Sequence, residues 1–562
     1  MSKKEKQAAP VKKENLRGIP KGDLLDRMNM WFEKNDKKVF YTFLFLSTLF
    51  SLLLFDAKVS DGGDDSSYIE RAWSLLHEGK FPYYQGPGYP IFLSVFVKMF
   101  GLNMVALKFS SLLCQFGFVW FTYKTFVKRV PYTVLVALLS FISVNAYIQY
   151  YASQTFTETF FLFLQSVCFY VFFRILDSIE EGTGLLEEAK KNYLKWIVFG
   201  ILFVALSISK SIAIIAIIPV FGYLLLKRHY KQAFFALAAF LVIRIIYNLI
   251  TSSIYGPPDA TQFEQILRKD LYKPELGHED VSGLIDRFFK NFDLYMSLHI
   301  YRIMNPLYKR LYVAEDIVPS LAYLTSLILG IFTWISYKRN TYIFFVTFYT
   351  LMLCFGIFIG IQWLNMQDRL IIIAVPYIFM LFFFGFYMLA KRVAGLQFVF
   401  IAIAVIMLLV NLKYSLADKV IGEKKITALK KNLAGDVYYG YTPDWENFLK
   451  MSRYCADSLP ADAQVISRKP AMSFIYGNGK KFVGQYIVTS MNADTVLMDW
   501  KKENVKYVIL ANLRMNPAKN NGRVINTIHR MLGPVYQAYP QKLKLVKSIG
   551  TTEKTELWEI NY

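Results

Sequence analysis

Residues 61–76 read DGGDDSSYIERAWSLL and follow the apolar run FYTFLFLSTLFSLLLF, so that Asp56, Asp61, Asp64 and Asp65 fall within ten residues of a segment ending at Phe55. A carboxylate held in a partly desolvated site can act as a general base toward a hydroxyl, and several together can bind a divalent cation through oxygen. The same residues suit a solvated turn, since Gly62 and Gly63 supply backbone freedom and carboxylates are soluble. Charges elsewhere bear on the choice. Glu158, Lys210, Arg244, Asp368 and Arg369 interrupt or border apolar segments, where an ionisable side chain is costly and therefore informative. Each has an ordinary explanation alone, because Lys and Arg snorkel and helix ends carry charge. Together, carboxylates beside cations suit transfer to a hydroxyl with a phosphate as leaving group, the cations neutralising charge that grows on the phosphate.

The elements that must position these residues are membrane helices. Of 562 residues 55% are hydrophobic, 17% aromatic and only 19% charged, below the quarter charged that soluble domains average. A spanning helix needs roughly 20 mainly apolar residues. Such runs lie near 39–55, 104–126, 132–149, 157–174, 195–209, 211–226, 233–250, 319–336, 341–361, 370–389 and 395–412, which predicts about eleven spans. Residues 89–100 are apolar but too short to cross. The first 38 residues hold eleven Lys or Arg and six Asp or Glu with no apolar stretch, so they read as a basic cytoplasmic tail rather than a secretory signal.

Basic residues recur at every second connection: Lys124, Lys128 and Arg129; Lys190, Lys191 and Lys195; Lys227, Arg228 and Lys231; Lys338 and Arg339; Lys391 and Arg392. Reading 196–226 as one helix would flip every later basic loop, so the positive-inside bias requires a reversal near Lys210. Loops 56–103 and 251–318 then lie on the outer side, as does everything after residue 412. Within the second loop, DLYMSLHIYRIMNPLYKRLY (293–312) is expected to form amphipathic helices lying on the membrane.

Residues 413–562 change character. Apolar runs shorten to strand length in QVISR, KFVGQYIV, VKYVILAN and LKLVKSIG, separated by helical patterns such as TPDWENFLKMSRYCADSLP, which predicts a small soluble α/β domain. The four cysteines are scattered, so neither disulfides nor a thiolate metal site is expected. Nucleic-acid binding is a poor use of the +22 net charge, much of which serves orientation. The chain has no Asn-x-Ser/Thr sequon, which favours a bacterial inner membrane over a glycosylating compartment.

The stretch DDSSYIERAWSLLHEGKFPYYQGPGYPIFLSVFVKMFG resembles the first outer loop of polyprenyl-phosphate-dependent glycosyltransferases of the GT-C class, in the branch of the protein O-mannosyltransferases and the lipid A aminoarabinose transferase. SQTFTETFF (153–161), GILFVALSISKSIAIIAIIP (200–219) and DRLIIIAVPYI (368–378) extend the resemblance over most of residues 38–412. It implies a GT-C-like membrane domain over 39–412, a sugar donor on a polyprenyl phosphate such as undecaprenyl phosphate, and a glycan, lipid or protein acceptor. Asp64 matches the family's catalytic aspartate, with Asp65 its neighbour and competitor, Lys210 the lysine of its hairpin, and Arg369 the arginine that opens a late helix; Tyr68 follows the acidic pair as in the family. Glu158 is expected to orient a cation or the sugar, and Asp61 to bind acceptor or a divalent metal. The aminoarabinose enzymes have Lys-Pro-Pro where this chain has Gly88, Tyr89 and Pro90; Leu370 stands where tyrosine is common, and Ser211 where glycine is. Those departures argue against that particular sugar. A transporter or flippase for lipid-linked sugars, and a polysaccharide polymerase or ligase, are the competing readings.

The topology has a direct test. A single cysteine introduced at Asn447 should react with an impermeant thiol reagent added outside, and one at Arg228 should not; the opposite pattern rejects the assigned parity.

Overall fold

The computed structural model describes residues 22–60, 63–84, 86–180, 184–257, 266–270, 274–305, 317–362, 368–417, 423–514 and 524–562. Every segment read as a span is helical. Among the described residues seven helices are long and apolar enough to cross a membrane: Met104–Phe126, Thr157–Leu176, Leu185–Ser209, Tyr230–Tyr255, Pro319–Arg339, Thr341–Gly360 and Ala394–Ser415. An eighth crossing is available if Tyr132–Val144 and Ala146–Ala152, bent by 58° at their junction, form one broken span. The other three expected spans are less complete. Asp36–Leu53 begins with three charged residues, and Ile212–Leu226 and Val375–Ala390 are shorter apolar helices.

The break at Asn145 has its polar groups satisfied, as it must in an apolar bundle. Asn145 caps the second half by accepting from the amides of Tyr147 and Ile148, and its amide group donates to the Ile303 carbonyl and to Asn411 Oδ1.

The connections sort to two ends of the bundle. At one end the basic loops meet: Lys391 pairs with Asp23 and Asp26, Tyr123 donates to Asp36, Asn340 donates to the Arg129 carbonyl, and Tyr342 donates to Asp177. The reversal at Lys210 is present. Leu185–Ser209 ends there, Lys210 is extended, and the chain returns through a 3-10 turn, Ser211–Ala216, and Ile217–Leu226. Tyr223 then meets Thr341 at the basic end, whereas Lys210 meets Glu158 at the other.

Residues 293–304 differ from the expectation. They form the end of Val281–Leu294, a π-helical turn Tyr295–His299 and Ile300–Met304, with Tyr295, Leu298, Ile303 and Arg302 buried inside the molecule. The apolar residues packed against the span Pro319–Arg339 outweigh the preference of their tyrosines for a headgroup layer. It is the preceding helix, Val281–Leu294, that exposes Val281, Ile285 and Phe289. The rest of the segment read as amphipathic, 306–312, lies outside the described residues.

The C-terminal region carries a five-stranded mixed sheet, order β2-β1-β3-β5-β4, of β1 Gln464–Ser467, β2 Val483–Gly484, β3 Val505–Ala511, β4 Leu543–Ile549 and β5 Thr555–Ile560. β1 pairs in parallel with β2 and β3, while β5 is antiparallel to β3 and β4. KFVGQYIV contributes only a two-residue strand, and TELWEI adds a fifth that the pattern reading did not include. All four cysteines are buried and unbridged.

At the end opposite the basic loops, Lys108, fully buried in Met104–Phe126, pairs with Asp56 and donates to Gln154 Oε1 at 2.8 Å. Lys108→Met deprives a buried carboxylate of its cation, so it should cost about 3–5 kcal/mol of stability. Thermal unfolding of the purified protein in detergent checks this; an unchanged midpoint would remove the pair from the list of structural supports.

Candidate functional site

The loop after Asp36–Leu53 turns into the helix Asp64–His77 through Gly63, whose φ of 82° is left-handed and costs least at glycine. Asp64 and Asp65 occupy the helix's first turn, where its positive end favours them. Consecutive helical residues diverge by about 100°, and the two carboxylates part accordingly. Asp65 is fully buried and accepts from the Ser60 amide at 2.7 Å, the Ser60 hydroxyl at 2.9 Å and the Ser66 amide at 2.9 Å. Burial pushes its carboxyl up to about 6, against the pull of Ser60 and of Lys108. Asp64 points the other way and forms an ion pair with Arg369.

Tyr68, one turn beyond Asp64 on the same face, stands edge to face with Tyr89 at 5.4 Å; burial pushes its hydroxyl up to about 12. Lys210 Nζ donates to Glu158 Oε1 at 2.7 Å, and Glu158 lies in the first turn of Thr157–Leu176. Arg369 sits in the 3-10 turn Asp368–Leu370, with its guanidinium 5.4 Å from the Phe156 ring. Burial works against its charge, and the carboxylates of Asp64 and Glu158 more than offset that, keeping it a cation. Asp368 in turn lies 3.8 Å from buried Arg302, so the short helix Ile300–Met304 backs the turn that presents Arg369.

Two spaces meet at this group. An inner pocket of about 190 Å³ is lined by Tyr68, Glu158, Lys210 and Arg369 among the isoleucines 212, 357, 361 and 373. Glu158 Oε2 and Arg369 Nε are buried there without a hydrogen-bond partner. An outer cleft of about 870 Å³ runs between Asp64, Ser67 and Arg71 on one side and Gln485, Tyr486 and Glu503 of the C-terminal region on the other. The Asp64–Arg369 pair is the joint, one partner lining each space. Such a site can hold an anion on Lys210 and Arg369 in the inner pocket while a carboxylate faces a polar molecule in the cleft.

The departure at Gly88 has a steric cause in this chain. A Cβ at Gly88 would lie 3.0 Å from Ser209 Cα, and one at Gly86 would lie 2.9 Å from the carbonyl oxygens of Ile208 and Ser209. The Gly-Pro-Gly turn thus lies against the end of the helix that leads to Lys210, leaving no room for a longer side chain.

Asp64, Tyr68, Glu158, Lys210 and Arg369 are therefore gathered at one place from four separate segments. Asp65 adjoins them but turns into the loop, and Asp61 lies outside the described residues. Arg71 was not singled out from sequence, although it stands seven residues after Asp64 and three after Tyr68 on one helical face. Its guanidinium lies over the rings of Tyr68 and Tyr84 at 4.9 and 5.5 Å, and it lines the cleft. Among the described residues no three of His, Cys, Asp or Glu are grouped as metal ligands. Asp65's oxygens are taken by Ser60 and Ser66 and Asp64 is paired with Arg369, so the two do not form the oxygen cage expected of a divalent-cation site.

The fold is that of membrane-embedded glycosyltransferases of the GT-C class. The chain superimposes on ArnT from Cupriavidus metallidurans in the apo state with a TM-score of 0.53 at 11% identity, covering 93% of this chain and 98% of that one. The same protein bound to undecaprenyl phosphate gives a TM-score of 0.51 at 10% identity, over 92% and 97%. The archaeal oligosaccharyltransferase AglB from Archaeoglobus fulgidus, in complex with an inhibitory peptide and a dolichol-phosphate, gives 0.52 at 12% identity, over 95% of this chain and 75% of that one. At such identities the likeness is one of fold. No family model and no curated protein matches the sequence.

Proposed function

We propose that this chain is an integral membrane glycosyltransferase that moves a sugar from a polyprenyl-phosphate donor to an acceptor hydroxyl, with inversion at the sugar carbon. The observation that carries this reading is the Asp64–Arg369 pair at the joint of the two spaces, with the Lys210–Glu158 pair across the inner pocket. The fold shared with ArnT bound to undecaprenyl phosphate and with AglB bound to a dolichol-phosphate supports a donor of that chemistry, and undecaprenyl phosphate is the carrier a bacterial inner membrane supplies.

In the reaction the donor phosphate enters the inner pocket and draws the donors of Arg369 and Lys210, which leaves Asp64 to accept the proton of the incoming hydroxyl. The acceptor oxygen forms a bond to the sugar carbon from the cleft side as the bond from that carbon to the phosphate oxygen breaks. The departing polyprenyl phosphate keeps the electron pair and is neutralised by the two cations. Glu158 holds Lys210 with one oxygen and offers the other to a sugar hydroxyl. Asp65 holds the loop through Ser60 and Ser66. The basic end of the bundle faces the cytoplasm, and residues 39–412 form the catalytic membrane domain; of the stretch read as a tail, residues 22–38 instead form the helix Leu24–Lys34 and the start of Asp36–Leu53, held to the bundle through Asn29 and the Asp23–Lys391 pair. The 413–562 region stands outside over the site.

Transfer of radiolabelled sugar from a polyprenyl-phosphate donor to a new product in proteoliposomes tests the reading; label that only crosses the bilayer would make the protein a transporter. Asp64→Asn keeps the side chain's shape and removes the base. Transfer should fall about a hundredfold to ten-thousandfold while donor binding persists; full activity would remove the role from Asp64. Lys210→Ala should lower turnover about a hundredfold or more in a folded protein, and near-normal turnover would return Lys210 to a packing role.

A further inference from the structure

The helix that carries Asp64 is held by more than the membrane bundle. Near its end, Lys481 of the C-terminal region donates to Ser74 Oγ at 2.6 Å, with Glu78 at 3.4 Å and Glu70 at 3.6 Å. The same ammonium lies 4.9 Å from the Phe474 ring and 5.4 Å from Trp73, and those rings meet edge to face at 5.2 Å. Phe474 belongs to the short helix Pro470–Tyr476, which packs along Asp64–His77.

The loop before Asp64 is gripped as well. The buried Tyr441 hydroxyl donates to the Val59 carbonyl at 2.7 Å and lies 2.9 Å from the Tyr476 hydroxyl. Lys58 reaches back to the Gly440 carbonyl at 2.7 Å, and the next residue after Val59, Ser60, is the one that Asp65 holds. Asp64 thus lies between two attachments to a region more than 370 residues further along the chain.

We infer that the C-terminal α/β region is a positioning element of the transferase site, in which Lys481 and Tyr441 hold the Asp64 helix at its two ends and so keep Asp64 at the joint between inner pocket and cleft. This rests on the reading of Asp64 as the base. A helix of 14 residues that does not span the membrane is marginal by itself, and its place comes from what it packs against. Misplacement of a reacting group by about 1 Å can cost a hundredfold in rate. Lys481 is unlike a snorkelling surface lysine, because a hydroxyl, two carboxylates and two rings converge on it. Neither Lys481 nor Tyr441 lines either space, so each acts through the helix and not on substrate.

Lys481→Met and Tyr441→Phe should each speed amide hydrogen exchange over residues 64–77, leave exchange in the sheet unchanged, and lower kcat roughly tenfold to a hundredfold with KM for the lipid donor unchanged. Lys481→Arg, which keeps the charge and the ring contacts, should restore both. Unchanged exchange over 64–77 overturns the inference, and so does faster exchange with unchanged kcat. If Lys481→Met loosens the whole sheet, Tyr441→Phe, which removes one hydroxyl, decides by the same two readouts. Exchange reports the grip whether or not sugar is transferred. Faster exchange in a protein whose wild type transfers no sugar would therefore reject the proposed function and not the attachment.

Discussion

The constraint on which the rest of the structure depends is that a charge at the edge of a bilayer must be matched by another charge. In a medium that solvates ions poorly an unpaired carboxylate or ammonium costs several kcal/mol, whereas a pair is tolerated. Three of the pairs near one end of this bundle are Asp56 with Lys108, Glu158 with Lys210, and Asp64 with Arg369. They differ in what surrounds them. Lys108 is fully enclosed and shared with Gln154, so that pair fastens the loop to the bundle. The other two border open space, and Glu158 and Arg369 each keep a buried polar atom unused. A pair that is both necessary in the empty site and exchangeable for a phosphate is what a donor site with an anionic leaving group requires.

Meeting that constraint organises the fold around four segments distant in the chain. The loop 56–65 follows the first apolar helix, Glu158 starts a span after the broken pair 132–152, Lys210 stands at a reversal, and Arg369 is raised on a turn backed by Arg302 and Asp368. Irregular backbone clusters at this end, as a 3-10 turn after Lys210, another at Arg369 and a π-helical turn at Tyr295–His299. Lys210 precedes the first, Arg369 lies in the second and buried His299 closes the third. The Gly-Pro-Gly turn pressed on Ser209 serves the same end, bringing the first outer loop against the helix that delivers Lys210.

The C-terminal region follows a different logic. One face of its sheet has its own buried cluster around Trp500, Val508 and Met531, while the other, with Val465, Ile509 and Leu557, is continuous with the apolar core of the bundle. Its contacts with the bundle are both apolar, as where Phe474 meets Trp73, and polar, through Tyr441 and Lys481. Under the proposed function, a site roofed in this way would admit a polar acceptor from the cleft and a lipid-borne donor from the inner pocket.

The sequence by itself determined the membrane class, the positions of the apolar helices and the reversal at Lys210, because apolar run length and the alternation of basic loops act locally and leave their mark in order along the chain. It also named Asp64, Glu158, Lys210 and Arg369, since charge is conspicuous against an apolar background. It misjudged residues 293–304, where a mixture of tyrosines and bases looked interfacial and packing against Pro319–Arg339 buried it. Which of two adjacent aspartates faces the cleft was left to the tertiary structure: the helix phase set by Gly63 and the two bonds from Ser60 turn Asp65 inward, and Arg369, 305 residues away, turns Asp64 outward. The attachment of Lys481 to Ser74 was likewise invisible, because it joins residues 407 apart whose types are ordinary for any surface. Contacts of that range arise only when the whole chain is folded, and no local pattern encodes them.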